Sequence, residues 1–393
     1  MPGMTLADVD ALRSPAGRAL LAALQGYDER AALALGERLR REHPAPLVAA
    51  AMTQARLRAR AAPRLGPAAA SMLLTPDGLE QATRAEVAAR RARRFVDAGV
   101  RDVVDLCCGV GGDLLPLAAA GLDVLGVDRD PVACALAAAN AEALGLAARA
   151  RVLAADVTAV DVRAHGGAFC DPARRAGGRR VMAPEGWSPP WSWVEGVLAA
   201  SPAAGAKVAP GVPRDLAPPG AEVEWVSVDG DVVEAAVWAG ALASGVRHRA
   251  TLLPSGATVT GSGAEEPPPV GPVRRFLYEP DGAVVRAGLV SAVVAAVDGS
   301  LLDPTIAYVA ADGLVPTPLA RPYEVLEALP FQLKRLRAAL RARDVGTVVV
   351  KKRGSALEPE QLRRQLRLTG SGTATVVLTR VAGEPWALVA RPA

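Results

Sequence analysis

Apolar positions recur along this chain with two different periods, and the change of period divides it. Over residues 5–60 the spacing is helical: Leu6, Val9 and Leu12 share one face behind Thr5, a residue suited to capping. Further helices are predicted over 15–25, 28–42 and 46–62, punctuated by Gly26, Pro44, Pro46 and Pro63. No catalytic constellation falls here, and residues 1–75 read as a helical domain packed on its neighbour.

From residue 76 the pattern changes. Asp77 or Thr75 can cap a helix running from Leu79 to Ala98. Short apolar runs then alternate with helical ones: strand Asp102–Leu106, helix Asp113–Ala120, strand Val124–Val127, helix Pro131–Leu144, then strands Arg151–Ala154 and Ala168–Cys170. Strand and helix repeated at this spacing are the signature of parallel βαβ units. Gly205–Ala209, Val223–Val228 and Val232–Trp238 read as three more strands, the last two flanking the hairpin signal Asp229-Gly230. These segments bound a second domain at 76–243.

The segment 244–330 is β-rich, with strands expected at Arg249–Leu253, Thr258–Gly261, Phe276–Tyr278, Val284–Arg286 and Ile306–Val309. A helix is expected at 288–298, and Glu265–Pro269 reads as a linker. The tail, 331–393, reads helix (331–343), strand (346–352), helix (358–367), then strands (374–379 and 386–391). That is a small α/β module of its own, without a glycine-rich phosphate loop.

Charge sharpens the picture of the tail. The chain carries a net charge of only +4, but residues 331–368 hold eleven Lys/Arg against three Asp/Glu. A basic block thus sits on a slightly acidic body. Arginine excess with only four lysines (Lys207, Lys334, Lys351, Lys352) looks like GC-rich coding, so arginine count alone is no nucleic-acid signal. The four cysteines form no CxxC pair and there are three histidines, so neither a zinc site nor a disulfide framework is expected. Met1–Asp10 lacks a cationic start followed by an apolar stretch, and no run of about 18 apolar residues exists. A cytoplasmic protein without a membrane span is expected.

The chemistry concentrates in Val103-Val104-Asp105-Leu106-Cys107-Cys108-Gly109-Val110-Gly111-Gly112-Asp113, where a strand ends in an acid, a glycine-rich turn follows and a helix begins. Such a turn brings a ligand to a helix N-terminus at the carboxyl end of a strand. Dinucleotide sites present a pyrophosphate, which the Asp105 carboxylate would repel. S-adenosylmethionine (SAM) instead presents a cationic amino group that a carboxylate can accept from. Asp128 ends the next strand, 23 residues on, where an acid can hold both ribose hydroxyls. Asp156 ends the following strand within reach of an adenine amino group, and Asp171-Pro172 ends the next beside the expected methyl. The candidate donor-binding residues are Asp105, Cys107, Gly109, Gly111, Asp113, Asp128, Arg129, Asp156 and Val157. Cys107 and Cys108 are read as small fillers without a reactive role.

DLCCGVGGD, VDRDP and the Asp171-Pro172 pair resemble class I SAM-dependent methyltransferases, the first motif being especially similar to trimethylguanosine synthase-type RNA methyltransferases. The whole chain resembles a bacterial family of such enzymes ending in a THUMP-like domain. Leu74–Thr83, Phe169–Arg175, Phe276–Leu289 and Val348–Gly354 carry that wider likeness. The resemblance implies a Rossmann-like, seven-stranded α/β sheet ending in an antiparallel strand, flanked by the N-terminal helical domain and the C-terminal THUMP-like module. It also implies that Thr83 or Gln81 lies near the donor's carboxylate.

Asp171-Pro172-Ala173-Arg174 stands where amino-methylating enzymes of nucleic acids carry (D/N/S)-P-P-(Y/F/W). Asp171 and Pro172 match, whereas Ala173 and the aromatic-replacing Arg174 do not. Arg174 can stack on a base or grip a phosphate instead, and Trp187, Trp191 and Trp193 can supply a stacking face. Asp171, Pro172 and Arg174 are the candidate catalytic residues. Lys351, Lys352, Arg353, Arg335 and Arg364 are the candidate RNA contacts, since dense positive charge favours phosphate backbones. The reading is methyl transfer to a base, with an amino group favoured, in structured RNA such as tRNA or rRNA. A small-molecule or protein methyltransferase and a non-catalytic SAM-binding RNA-binding protein stand as alternatives.

Overall fold

The computed structural model describes residues 4–176, 179–181 and 183–393, with 175, 176, 179 and 180 described in their backbone only. The start of the N-terminal segment and the Arg175 side chain therefore lie outside the described residues. The chain forms two compact units. One comprises Met1–Val208, Ala217–Ala221 and Ala236–Ser244; the other comprises Ala209–Leu216, Glu222–Ala235 and Gly245–Ala393.

The first unit opens with helices α1 (Leu6–Arg13), α2 (Pro15–Ala23), α3 (Ala32–Leu39) and α4 (Ala45–Leu65). Thr5 caps α1 reciprocally with Asp8, each satisfying an amide of the other's end. The single helix predicted over 79–98 is two: α5 (Pro76–Gln81) and α6 (Ala85–Asp97). Ala82 leaves helical backbone at φ −56°, ψ 137°, and the turn delivers Thr83 to the interior, 3% exposed. Thr83 finds polar partners there that a continuous helix would deny it.

Five parallel strands follow: β1 (Asp102–Leu106), β2 (Asp123–Asp128), β3 (Ala150–Ala154), β4 (Gly167–Cys170) and β5 (Ala203–Val208), in the order β3-β2-β1-β4-β5. Helices α7 (Leu114–Ala119) and α8 (Pro131–Ala143) link β1 to β2 and β2 to β3, and α9 (Trp191–Ala200) precedes β5. Register makes the site: Leu106 lies opposite both Val127 and Cys170, so β1, β2 and β4 end level and their following residues share one edge. Behind them Phe95, Phe169 and Trp238 form an aromatic cluster, with ring centroids 6.3–6.4 Å apart.

The second unit holds β6 (Glu222–Val228), the start of β7 (Asp231–Gly240), β8 (His248–Leu253) and β9 (Ala257–Gly261), β8 running parallel to β6 and antiparallel to β9. Strands β8 and β9, in the second unit, are additional to the seven strands expected. A second sheet contains β10 (Phe276–Pro280), β11 (Ser300–Asp303), β12 (Ile306–Ala311), β13 (Ala320–Pro330), β14 (Val345–Lys352), β15 (Gly372–Val381) and β16 (Glu384–Pro392), in the order β11-β12-β10-β13-β16-β15-β14. The segment 244–330 and the tail, separate modules in the sequence reading, thus share this sheet: β13 pairs with β10 on one side and β16 on the other.

Val284–Arg286, predicted as a strand, belongs to helix α10 (Gly282–Ala287), and α11 (Val290–Val297) follows. Asp281 caps α10 by accepting from the Ala283 amide at 2.7 Å, which overrides the β preference of Val284 and Val285. Helices α12 (Leu333–Arg341) and α13 (Pro359–Leu366) bury Leu336, Leu340, Leu362 and Leu366 with Val348 and Val376. Among the described residues no helix is long and apolar enough to cross a membrane.

Candidate active site at the strand ends

The glycine-rich turn after β1 takes its shape from three left-handed residues: Cys107 (φ 65°), Gly109 (54°) and Gly111 (95°). Cys107 is the one with a side chain to strain. Its amide and that of Cys108 both donate to the Val127 carbonyl, at 2.9 and 3.2 Å, which ties the turn to β2. Asp128 completes the tie, accepting from the Gly109 amide on one oxygen (3.0 Å) and the Asp130 amide on the other (2.9 Å). Its carboxylate is fixed in place yet keeps unused lone pairs.

The opposite wall is the segment leading into α5. Asn140, fully buried on α8, accepts from the Leu73 amide (2.6 Å) and donates to the Leu73 and Val110 carbonyls (both 3.0 Å). Gln54 on α4 holds Leu74 in the same two-way manner, at 2.8 Å each. Buried amides satisfied on both ends specify one backbone path. Thr75 then caps α5, and Thr75–Thr83 faces the turn across a cavity of about 220 Å³.

Asp105, Cys107, Gly109, Asp113, Asp128, Asp171 and Thr83 line this cavity, as do Gln81 and Asp130. Asp105 is 1% exposed, and its Oδ2 is buried without a hydrogen-bond partner. Burial, and then the Asp171 charge, push its carboxyl up to about 8, against the pull of Arg91. An orphaned acid oxygen in a cleft is costly unless a donor arrives. A cationic amino group is such a donor, so the residues present fit SAM.

A buried chain of polar contacts missed by the sequence reading runs along the cavity floor. Arg91 on α6, 2% exposed and stacked 4.2 Å over Phe169, is ion-paired to Asp113 Oδ1. Thr83 Oγ1 donates to Asp113 Oδ2 at 3.0 Å. Lys207, on β5, donates to Thr83 Oγ1 (3.1 Å), the Gln81 carbonyl (3.3 Å) and Asp171 Oδ2 (2.6 Å). The sequence signal for Lys207 was a lone cation in a fully buried strand, Ala203–Val208, which demands a partner. Nothing in the local sequence sets Arg91 apart from Arg90, Arg93 and Arg94 on the same helix.

Other candidates lie differently. Arg129 and Asp156 are exposed and Val157 is buried, and none of the three lines the cavity. Asp156 accepts from the Thr158 amide (2.9 Å) and hydroxyl (2.8 Å), contacts that hold its carboxyl below the usual range. Gly111 shapes the turn from behind, Pro172 is buried, and Arg174 is half-buried with its carbonyl accepting from Val181. Trp187 and Trp191 are 4% exposed and pack edge-to-face on each other, so their faces serve the core, while Trp193 is half-buried.

In the second unit the basic block is largely engaged. Lys351 is ion-paired to Glu279 (2.5 Å), Lys352 to Glu358 (2.6 Å), and Arg353 lies over the Tyr308 ring. Lys351 and Arg353 nonetheless line a cleft of about 520 Å³ with Arg321 and Asp281, bringing together the Phe276–Leu289 and Val348–Gly354 motifs. Arg335 on α12 and Arg364 on α13 are exposed, as are Lys334 and Arg367.

Comparison with known proteins bears on both units. Residues 103–169 match a family model for a methyltransferase domain, 320–392 one for a THUMP domain-like region, and 5–61 a domain of unknown function. An uncharacterized S-adenosylmethionine-dependent methyltransferase of Mycobacterium tuberculosis (strain H37Rv) is 40% identical over 338 residues, covering 83% of this chain and 90% of the relative. A 23S rRNA (uracil(1939)-C(5))-methyltransferase of Acidithiobacillus ferrooxidans is 50% identical over 56 residues, 14% of this chain and 13% of that protein. A crystal structure of a methyltransferase-fold protein from Porphyromonas gingivalis W83 superposes with a TM-score of 0.74 at 20% identity, covering 93% of this chain and 99% of its own.

Proposed function

Since the chain belongs to the S-adenosylmethionine-dependent methyltransferases, we propose that its acceptor is an amino group on a base of structured RNA, oriented by Asp171. The carrying observation is the position of Asp171: it follows β4 at the sheet edge, lines the donor cavity, and is held at 2.6 Å by a buried ammonium. A carboxylate so placed accepts a hydrogen bond from an incoming N–H and aims the nitrogen lone pair toward the cavity. SAM supplies an activated methyl on its sulfonium, so orientation and proximity are the protein's main contribution.

On the donor side, Asp105 Oδ2 accepts from the amino group and Asp128 accepts from the ribose hydroxyls. Gly109 and Cys107 supply the close backbone, in a turn that Gly111 shapes, while Thr83 and Asp113 hold the cavity floor. Arg129, Asp156 and Val157, outside the cavity lining, would meet only the adenine end of a donor that extends past the ends of β2 and β3. Pro172 stiffens the acceptor loop, and Arg174 offers its guanidinium to the base or its phosphate.

The Cys170 thiol is unsuited to methylation of a pyrimidine carbon. Carbon methylation of uracil calls for a nucleophile that adds to the ring. Cys170, beside Asp171, is fully buried, and its hydrogen bond with Cys107, then burial, push its thiol well above the usual range. The exposed cations of the THUMP-like module, Lys334, Arg335, Arg364 and Arg367, give RNA phosphates a landing surface, with Lys351 and Arg353 at its cleft and Lys352 next to them in sequence. Incubation with methyl-labelled SAM and total RNA tests the reading: label is expected in RNA, in an N-methylated nucleoside. Label appearing only in protein or small molecules overturns it.

A further inference from the structure

Lys207 is a buried charge that donor binding does not call for. Its side chain is 6% exposed on a strand whose other residues are all buried. Placing an ammonium there is strongly unfavourable unless partners compensate, and three do: Asp171 Oδ2 at 2.6 Å, Thr83 Oγ1 at 3.1 Å and the Gln81 carbonyl at 3.3 Å. All three partners line the donor cavity.

We propose that Lys207 is a positioning residue for methyl transfer: its ammonium pins the Asp171 carboxylate and ties it to the Gln81–Thr83 turn on the donor side. Two features of the geometry support this role over simple charge neutralisation. Lys207 takes one oxygen of Asp171, leaving Oδ1 for the acceptor, so the carboxylate cannot swing without breaking a short ion pair. The same ammonium reaches the turn whose Thr83 hydroxyl is bonded to Asp113, the last residue of the glycine-rich turn. Donor-side and acceptor-side walls therefore share one cation. Asp105, Asp113, Asp128 and Asp171 crowd this small space, and Lys207 and Arg91 are the buried cations set against them.

The inference rests on the reading of Asp171 as the acceptor-orienting group, and a double-mutant cycle separates the two. Initial rates are measured with methyl-labelled SAM for Lys207→Met, Lys207→Arg, Asp171→Ala and the Asp171→Ala/Lys207→Met double variant. They are read in whichever fraction, nucleic acid, protein or small molecule, the unaltered chain labels. Calorimetry with SAM and thermal melts confirm that each variant binds donor and folds. The double variant, which removes both charges, guards against a buried unpaired ammonium unfolding Asp171→Ala.

Expected for Lys207→Met is a loss of about 30- to 100-fold in kcat with acceptor KM changed less than about threefold. Lys207→Arg should recover a substantial part. Asp171→Ala should lose at least as much, and adding Lys207→Met should cost nothing further, because residues acting as one unit are not additive. A folded Lys207→Met at full rate, or losses that multiply in the double variant, overturn the Lys207 proposal while leaving Asp171 intact. A folded Asp171→Ala at full rate overturns both. Label in the protein fraction sinks the RNA reading and leaves the cycle valid.

Discussion

The proposed donor cavity of the first unit and the basic face of the second use charge in opposite ways. Around the cavity the charged groups are few, buried and individually placed: Asp105 at 1% exposure, Asp113 at 7%, Lys207 at 5%. On the THUMP-like module they are many and exposed, and much of the positive charge is spent on internal ion pairs with Glu279, Glu327, Glu358 and Glu360. The first arrangement gives geometry, in which one residue matters greatly. The second gives a diffuse field, in which any single exposed pair is worth little.

The largest effect expected on this contrast is at Asp128. Replacing it with Ala removes the two proposed ribose contacts and frees the Gly109 and Asp130 amides. SAM affinity should fall about 100-fold by calorimetry, given about 1.5 kcal/mol for each charge-assisted bond. A loss below threefold would put the donor elsewhere.

Next comes pH. Asp105, raised to about 8 in the folded protein, is protonated there at neutral pH, whereas its unfolded carboxyl is ionised above about 4. Folded stability from this group is therefore present below about pH 4 and is lost as pH climbs toward 8. A bound cation reverses the preference, so SAM affinity should drop about tenfold per pH unit below pH 8, approaching that slope by pH 7. Asp105→Asn should flatten the dependence.

Smaller changes follow on the basic face. Arg335→Ala with Arg364→Ala should weaken RNA binding only several-fold and reduce the salt slope of log affinity by about 1 to 2. Lys351→Ala should act mainly on stability, by removing the ammonium partner of Glu279. The smallest effect is assigned to Asp156→Ala, under about threefold on SAM affinity, because that carboxylate is exposed and already bonded to Thr158. A tenfold loss there would show that the adenine reaches it.

What was legible in the sequence follows the same division. Asp105, Asp128 and Asp171 could be placed because parallel strands end level, and an acid after an apolar run marks the edge of the sheet. The break between α5 and α6 was not legible: Glu80-Gln81-Ala82-Thr83-Arg84 contains no helix breaker, and only the buried partners of Thr83 pay for leaving the helix there. Lys207 was hidden for the same reason, since its partners arrive from positions 81, 83 and 171. The eleven cations of 331–368 could be counted, but their pairing with Glu279 and Glu327 depends on strands outside that window. Val284 and Val285 misled through β preference, where an Asp281 cap decided for helix.

The most direct test of the donor site is proton release on SAM binding, measured by calorimetry at pH 7 in two buffers of different ionisation enthalpy. An Asp105 that is protonated when alone and ionised against the donor's amino group predicts that close to one proton leaves, and that none leaves from Asp105→Asn. Binding with no proton exchanged by the unaltered chain would contradict it.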